Sequence, residues 1–237
     1  GLFLKNFPEH PQNILAAYTR LIAAIQVDPK TTSTETAAYL SKYPQSEFTN
    51  AVKLLRAQDF STRKKFTESI PMWEELKSIS DAKLPRDQIL FERARALYET
   101  KSWIKSAEAF SDFVKEFPQH PQSFSARLSK AVALQQVGKN SIEAWEEVRQ
   151  FATIPSSPHQ TALEQIGLLA SQKENKDKIH STFKELIGRY PESEIIPLAF
   201  FQLATLAVQE GDKAKANEMP NHGILHPRKE WSISPMI

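Results

Sequence analysis

Six histidines, two adjacent acidic pairs, one Ser/His cluster and one basic triplet are the residues of this chain whose types could do chemistry. His10 and His120 each precede a proline, in the near-identical hexapeptides Phe7-Pro8-Glu9-His10-Pro11-Gln12 and Phe117-Pro118-Gln119-His120-Pro121-Gln122. A residue that recurs with its surroundings reads as part of a repeated link, placed where a proline can begin a helix. His159 and His180 have no partner at metal-ligand spacing. His222 and His226 are four apart, but Gly223 and the nearby prolines argue against a helix that would bring them together. No His-Glu-x-x-His pattern occurs, and with no cysteine neither thiolate metal sites nor disulfides can form. The sequence therefore predicts no cofactor and no metal.

Ser156-Ser157-Pro158-His159 puts hydroxyls beside an imidazole, but adjacent residues rarely face each other, and no Gly-x-Ser-x-Gly elbow is present. It reads as a loop between helices. Glu74-Glu75 and Glu146-Glu147 are neighbours that point about 100° apart on a helix, a poor geometry for paired acid–base work, and they are expected to face solvent. Arg63-Lys64-Lys65 lies between Phe60 and Phe66; the aromatics read as core and the basic residues as solvated, not as a stacking platform for nucleic acid. A formal net charge of +2 with interspersed signs, as in Lys173-Glu174-Asn175-Lys176-Asp177-Lys178, agrees. Six scattered glycines build no phosphate loop. No catalytic residue is predicted, and the chain is not expected to be an enzyme.

What positions these residues is a repeat. Prolines at 8, 44, 118, 155 and 191 are separated by 36, 74, 37 and 36 residues; the missing tooth falls at Asp81, where Pro85 stands nearby. Ala57, Ala94, Ala131, Gly167 and Ala204 recur at 37, 37, 36 and 37, each followed three residues on by Phe60, Leu97, Leu134, Ala170 or Ala207. A bulky column, Trp73, Phe110, Val148 and Phe183, is followed by Leu76, Phe113, Phe151 and Leu186. Small residues on a first helix admit a close neighbour, bulky ones on a second helix fill the space between repeats, and a proline after the second helix turns the chain. Gly138-Lys139-Asn140 and Glu210-Gly211-Asp212 supply turns between the helices of a pair.

The spacing predicts about eleven helices and no sheet. First helices are expected near 13–26, 46–60, 86–100, 122–137, 158–172 and 194–210, and second helices near 33–42, 64–80, 103–117, 141–153 and 176–190. In the first repeat the small slot falls on Arg20. Pro71 predicts a late start or a kink in its helix. After Ala216 the pattern stops, so residues 1–216 read as the array and 217–237 as an irregular tail, which leaves Leu198, Phe201 and Val208 without their cover.

Leu163-Glu164-Gln165-Ile166-Gly167 with Phe183 and Tyr190-Pro191 resembles the tetratricopeptide repeat. So do Leu203-Ala204 with Gly211-Asp212 and Ala216, and Trp103 through Ala107-Glu108-Ala109-Phe110 to Phe117-Pro118. The resemblance covers roughly residues 1–216. It implies an all-α, right-handed superhelical solenoid of antiparallel helix pairs, about five to six repeats of period 36–37. The aromatic-Pro-x-Ser/His link is similar to that of bacterial cell-envelope members, such as the barrel-assembly lipoprotein and the Tol–Pal-associated coordinator. It implies a periplasmic or outer-membrane-associated setting, with the cytoplasm as the alternative.

In that family the first helices line a concave face that binds partners. The pattern maps Gln58, Phe91, Arg95, Tyr98, Leu128, Gln135, Glu164 and Gln172 to it, a mixture of amides and aromatics that suits an extended peptide. A carboxylate clamp of Lys and Asn one turn apart is not reproduced: the matching pairs are Leu54 with Gln58, Phe91 with Arg95, Leu128 with Val132 and Glu164 with Leu168. The implied function is a non-enzymatic protein- or peptide-binding scaffold, with neither nucleic acid nor membrane insertion. The alternative is the helical-repeat segment of a larger enzyme, such as a lytic-transglycosylase-like envelope enzyme, with its catalytic domain elsewhere. Because Gly1 opens inside an apolar run, Leu2-Phe3-Leu4, further repeats are expected before it, with weak self-association through uncapped ends.

Overall fold

A computed structural model describes residue 10, residues 12–139 and residues 141–212. The expectations for Leu2, Phe3 and Leu4, for His222 and His226, and for the tail 217–237 lie outside the described residues. Among those described there are eleven α-helices and no strand. First helices are α1 (Asn13–Val27), α3 (Thr49–Thr62), α5 (Arg86–Glu99), α7 (Ser123–Gln136), α9 (Ser157–Gln172) and α11 (Ile196–Gln209). Second helices are α2 (Thr32–Lys42), α4 (Phe66–Ser78), α6 (Trp103–Glu116), α8 (Ser141–Phe151) and α10 (Lys176–Arg189). The chain divides into two compact units, one ending at Val137 and the other starting at Gly138. Within each, every helix packs on the next in sequence, as short turns between amphipathic helices dictate.

From α3 onward, the turn that follows each first helix is the same device. Lys64, Lys101, Gly138, Glu174 and Gly211 all have positive φ, at +58°, +57°, +66°, +52° and +80°. Their spacings of 37, 37, 36 and 37 repeat those of the small-residue column. At four of these turns the amide one residue further on reaches back to a carbonyl of the last helical turn: Lys65 to Phe60 (2.8 Å), Ser102 to Leu97 (2.9 Å), Asn175 to Ala170 (3.0 Å) and Asp212 to Ala207 (2.9 Å). This left-handed cap satisfies helix-end carbonyls that would otherwise lack donors.

Three of the five links from second to next first helix are equally uniform. Tyr43, Phe117 and Tyr190, each before its proline, hold φ/ψ of −131°/62°, −128°/61° and −136°/61°. A proline disfavours helical ψ in the preceding residue, so the second helix stops there. Two successive turns follow: Ser46, His120 and Ser193 donate to the carbonyls of Tyr43, Phe117 and Tyr190, then Thr49, Ser123 and Ile196 to those of Ser46, His120 and Ser193. The hydroxyls of Thr49 and Ser123 also donate to the carbonyls of Tyr43 and Phe117. At the missing tooth, Asp81 supplies by side chain what proline supplies by ring. One carboxylate oxygen accepts from the Lys83 amide (2.9 Å) and the other from the Asn50 side chain (3.0 Å), which holds this carboxyl below the usual range.

Ala57, Ala94 and Ala131 are fully buried, and Trp73, Phe110, Val148 and Phe183 fill the space against the first helices. Gly167 shows why that column is small. A Cβ there would sit 2.3 Å from Cε1 of Phe183, so the ring packs directly on the helix backbone. Trp73 is wholly buried, and its indole N–H donates to the Ser61 hydroxyl at 2.9 Å.

Four details differ from the sequence expectation. Helix α4 begins at Phe66 and runs through Pro71 without a late start; Thr67 and Pro71 are both exposed, so the carbonyl that proline leaves without a donor faces water. Arg20 does not occupy a close-contact slot: it is exposed and pairs with Glu35 at 2.7 Å, while Ala17 and Leu21 are buried. The first pair is out of phase because its turn is a 3-10 segment, Pro29–Thr31, capped by Asp28. Phe151 is 53% exposed, because α8 ends at that residue and Trp145 supplies the buried bulk. Arg63 is not merely solvated: it donates to the carbonyls of Pro29 and Lys30 (3.1 Å each) and pairs with Asp59, tying that 3-10 turn to α3.

Candidate binding face

The first helices α3, α5 and α9 each bury two adjacent stripes, one against the preceding second helix and one against its own. In α5 these are Ile89 with Ala96 and Leu90, Ala94 with Leu97. What remains is a third stripe turned away from both. The hydrogen bond from Gln58 Nε2 on α3 to Gln88 Oε1 on α5, at 3.0 Å, shows that consecutive first helices come within side-chain reach along it.

The residues mapped from sequence fall on this side or at its border. Gln58 is half-buried in the bond just described. Arg95 donates twice to Glu92, at 2.5 and 3.1 Å, with its guanidinium 5.7 Å from the Phe66 ring centroid. Phe91 meets Phe110 and Phe113 edge-on, at 5.9 and 5.3 Å between centroids, and Tyr98 meets Trp103 at 5.2 Å. These two rings thus turn toward α6 and present only part of their surface. Burial, and then the charge of Glu99, push the Tyr98 phenol above its ordinary range. Leu128 and Gln135 are half-buried on α7. In the second unit, Glu164 accepts from Gln160 (2.8 Å) and Ser193 (2.7 Å), and Gln172 is exposed at the end of α9. Gln88 and Glu92 were missed; both lie in phase with Gln58 and Arg95 and could have been found by extending the register.

Several residues whose types could do chemistry have structural tasks. His10 Nδ1 and His120 Nδ1 accept the amides of Gln12 and Gln122, at 3.1 Å in both, so the same slot does the same work twice. The Ser156 hydroxyl caps α9 by accepting the His159 amide. Glu74 pairs with Arg93, and Glu75 with Lys53, each at 2.7 Å. Glu146 does not simply face solvent: burial would raise its carboxyl, but Lys178 (2.8 Å) and Arg149 (2.6 Å) hold it below the usual range.

His159 is the most deeply placed ionisable group here, 1% exposed. Its position was legible, since 159, 162, 163 and 166 make one helical stripe with Ala162, Leu163 and Ile166, all buried. A cleft of about 410 Å³ lies on the second unit between α8 and the α9–α10 turn, lined by Ile142, Glu143, Glu146, Glu147, Gln150, Lys173, Asn175 and Lys178. Among the described residues no group of three or more His, Asp or Glu could hold a metal ion, and no helix is long and apolar enough to cross a membrane.

No known protein family and no curated protein matches the chain by sequence. Solved structures do match. A tetratricopeptide repeat protein from Parabacteroides merdae is 17% identical, covering 85% of this chain and 77% of its own, with a TM-score of 0.51. A MamA double mutant (RS-1) is 18% identical over 74% of this chain and 92% of its own, at 0.47, and BtubC from P. vanneervenii is 14% identical over 94% and 96%, at 0.43. The first likeness, with the in-phase turns and links, establishes a helical-repeat fold of the tetratricopeptide type.

Proposed function

We propose that the chain is a non-enzymatic binding scaffold that holds a protein or peptide segment along its first helices. The observation that supports this is the third stripe. On α3, α5 and α9 it is left open while two other stripes are filled, and Gln58 and Gln88 join it from α3 to α5. Gln58, Phe91, Arg95, Tyr98, Leu128, Gln135, Glu164 and Gln172 are the residues we assign to partner contact, with Phe91 and Tyr98 shaping the floor. We assign residues 1–216 to the array and 217–237 to a separate tail segment. The aromatic-Pro links support a bacterial periplasmic or outer-membrane-associated setting.

A photo-crosslinking amino acid introduced at Gln58, Gln135 or Gln172 should capture a discrete protein partner in the native cell. The same group at Pro71 or Glu108, exposed on second helices, should not. Equal capture from both sets would overturn the assignment of the face.

A further inference from the structure

We propose that two copies of this chain pair through the apolar stripe of α11, antiparallel about a two-fold axis beside Ala204. The stripe is separate from the residues assigned to partner contact, which all lie on α3, α5, α7 and α9.

Phe201, Ala204 and Val208 stand 110 residues, three periods, after Phe91, Ala94 and Tyr98. On α5 these slots meet the second helix of the pair. Ala94 is fully buried, Phe91 packs on Phe110 and Phe113, and Tyr98 packs on Trp103. On α11 the same slots are open. Phe201 is 52% exposed and Val208 62%, and Ala204 is only half-buried, unlike Ala57, Ala94, Ala131 and Gly167. Steps of three and four residues keep the three on one stripe, with Phe200 and Ala207 beside it. In the sequence that follows, Pro220 and Gly223 stand 37 residues after Phe183 and Leu186 of the bulky column. Neither has the bulk that fills the matching seat on α9, where Phe183 packs on Gly167.

Charge, shape and direction each point to a second copy as the occupant. Among the described helices α11 alone carries no ionisable side chain. Two copies of it therefore meet without burying a charge, whereas a charged partner helix would lose hydration and find no counter-charge on the stripe. A two-fold axis makes the patch its own complement. With the axis beside Ala204, Phe200 and Phe201 of one copy lie against Ala207 and Val208 of the other, large against small at both ends. The small residue at the centre lets the two backbones approach, as it does within each pair. The two helices then run antiparallel, the direction in which a short turn sets a second helix against its first. The flanking charges favour the same direction. Glu192 and Glu194 precede α11, while Glu210, Asp212, Lys213 and Lys215 follow it and cancel. Antiparallel pairing sets the acidic end against a neutral one; parallel pairing would set it against itself.

The test is sedimentation equilibrium of the full chain over a range of concentrations, beside the double variant Phe201→Glu with Val208→Glu. Both side chains are exposed, so the variant should keep the circular dichroism spectrum and melting transition of the parent. The expected result is a monomer–dimer equilibrium in the parent, with a dissociation constant that rises about a hundredfold or more in the variant. A second readout uses the absence of cysteine from the chain. Ala204→Cys places one thiol opposite its own copy at the axis and should give a covalent dimer on mild oxidation. Glu108→Cys, exposed on α6, should not. A parent that stays monomeric at the highest concentration, or association that survives the double variant, would overturn the inference. So would equal cross-linking at the two thiols, or an open series of species beyond the dimer, which head-to-tail stacking would give. Each of these outcomes leaves partner capture at Gln58, Gln135 or Gln172 to stand or fall by itself.

Discussion

Nδ1 of His159 lies 2.9 Å from the Tyr190 hydroxyl, and its Nε2 lies 3.7 Å from a Glu185 carboxylate oxygen. The same hydroxyl accepts the Ser156 amide at 3.2 Å, so one phenol joins the start of α9 to the end of α10. Burial pushes the imidazole pKa below its ordinary value; Glu185 opposes this, and Arg149 and Arg189 add to it. The fold therefore prefers the neutral ring. Its contribution to stability is complete above the unfolded histidine value of about 6.5 and is lost as pH falls through the lower folded value. Thermal melts should show a transition that drops as the pH falls from the unfolded value through the folded one. His159→Gln should flatten the drop, and an unchanged pH profile in the variant would show that another group is responsible.

Gly167 and Gly188 should respond to alanine with opposite signs. Alanine at 167 drives a methyl into the Phe183 ring, and such overpacking costs about 1–3 kcal/mol. Nothing lies within 4 Å of a Cβ at Gly188, in the last turn of α10. There the better helix former should gain roughly 0.5–1 kcal/mol. Urea unfolding of both variants measures the pair; a gain at 167 would refute direct packing of the ring on the backbone.

Lys101 holds φ of +57°, a conformation that side chains with a Cβ disfavour and glycine adopts freely. Lys101→Gly should stabilise the protein by about 0.5–1 kcal/mol, the relief of strain exceeding the added entropy of the unfolded chain. A lowered urea midpoint would mean that the lysine side chain contributes more than its backbone costs.

Ala131 is fully buried on α7. Ala131→Leu should cost about 1–3 kcal/mol by overpacking. A urea midpoint and slope equal to those of the parent would contradict the register of the small-residue column.

The repeat was legible because its physical requirements are narrow. Only a small residue fits where Ala94 or Gly167 sits, and only a link that stops a helix fits at Phe117-Pro118, so residue type and phase agree. All eleven helices fall within three residues of their expected bounds. The turns were half legible: glycine marks Gly138 and Gly211, but Lys64, Lys101 and Glu174 take the same torsion with no sign in their chemistry, and only the 37-residue phase betrays them. Arg20 misled because a 3-10 turn breaks the phase of the first pair. On the binding face the difficulty was different. Sequence phase assigns a residue to a side of a helix but not its tilt, so the rings of Phe91 and Tyr98 were placed on the correct helix without their lean toward α6.

The matching torsions at Tyr43 and Phe117 make the material between them interchangeable in length. Both residues end a second helix, both precede proline, and they are 74 positions apart, two full periods. Joining Tyr43 directly to Pro118 would re-create the same corner and set α7 where α3 had stood. A gene for such a chain can grow or shrink by whole cassettes at these corners, leaving the side chains of the new helix interface as the part to refit.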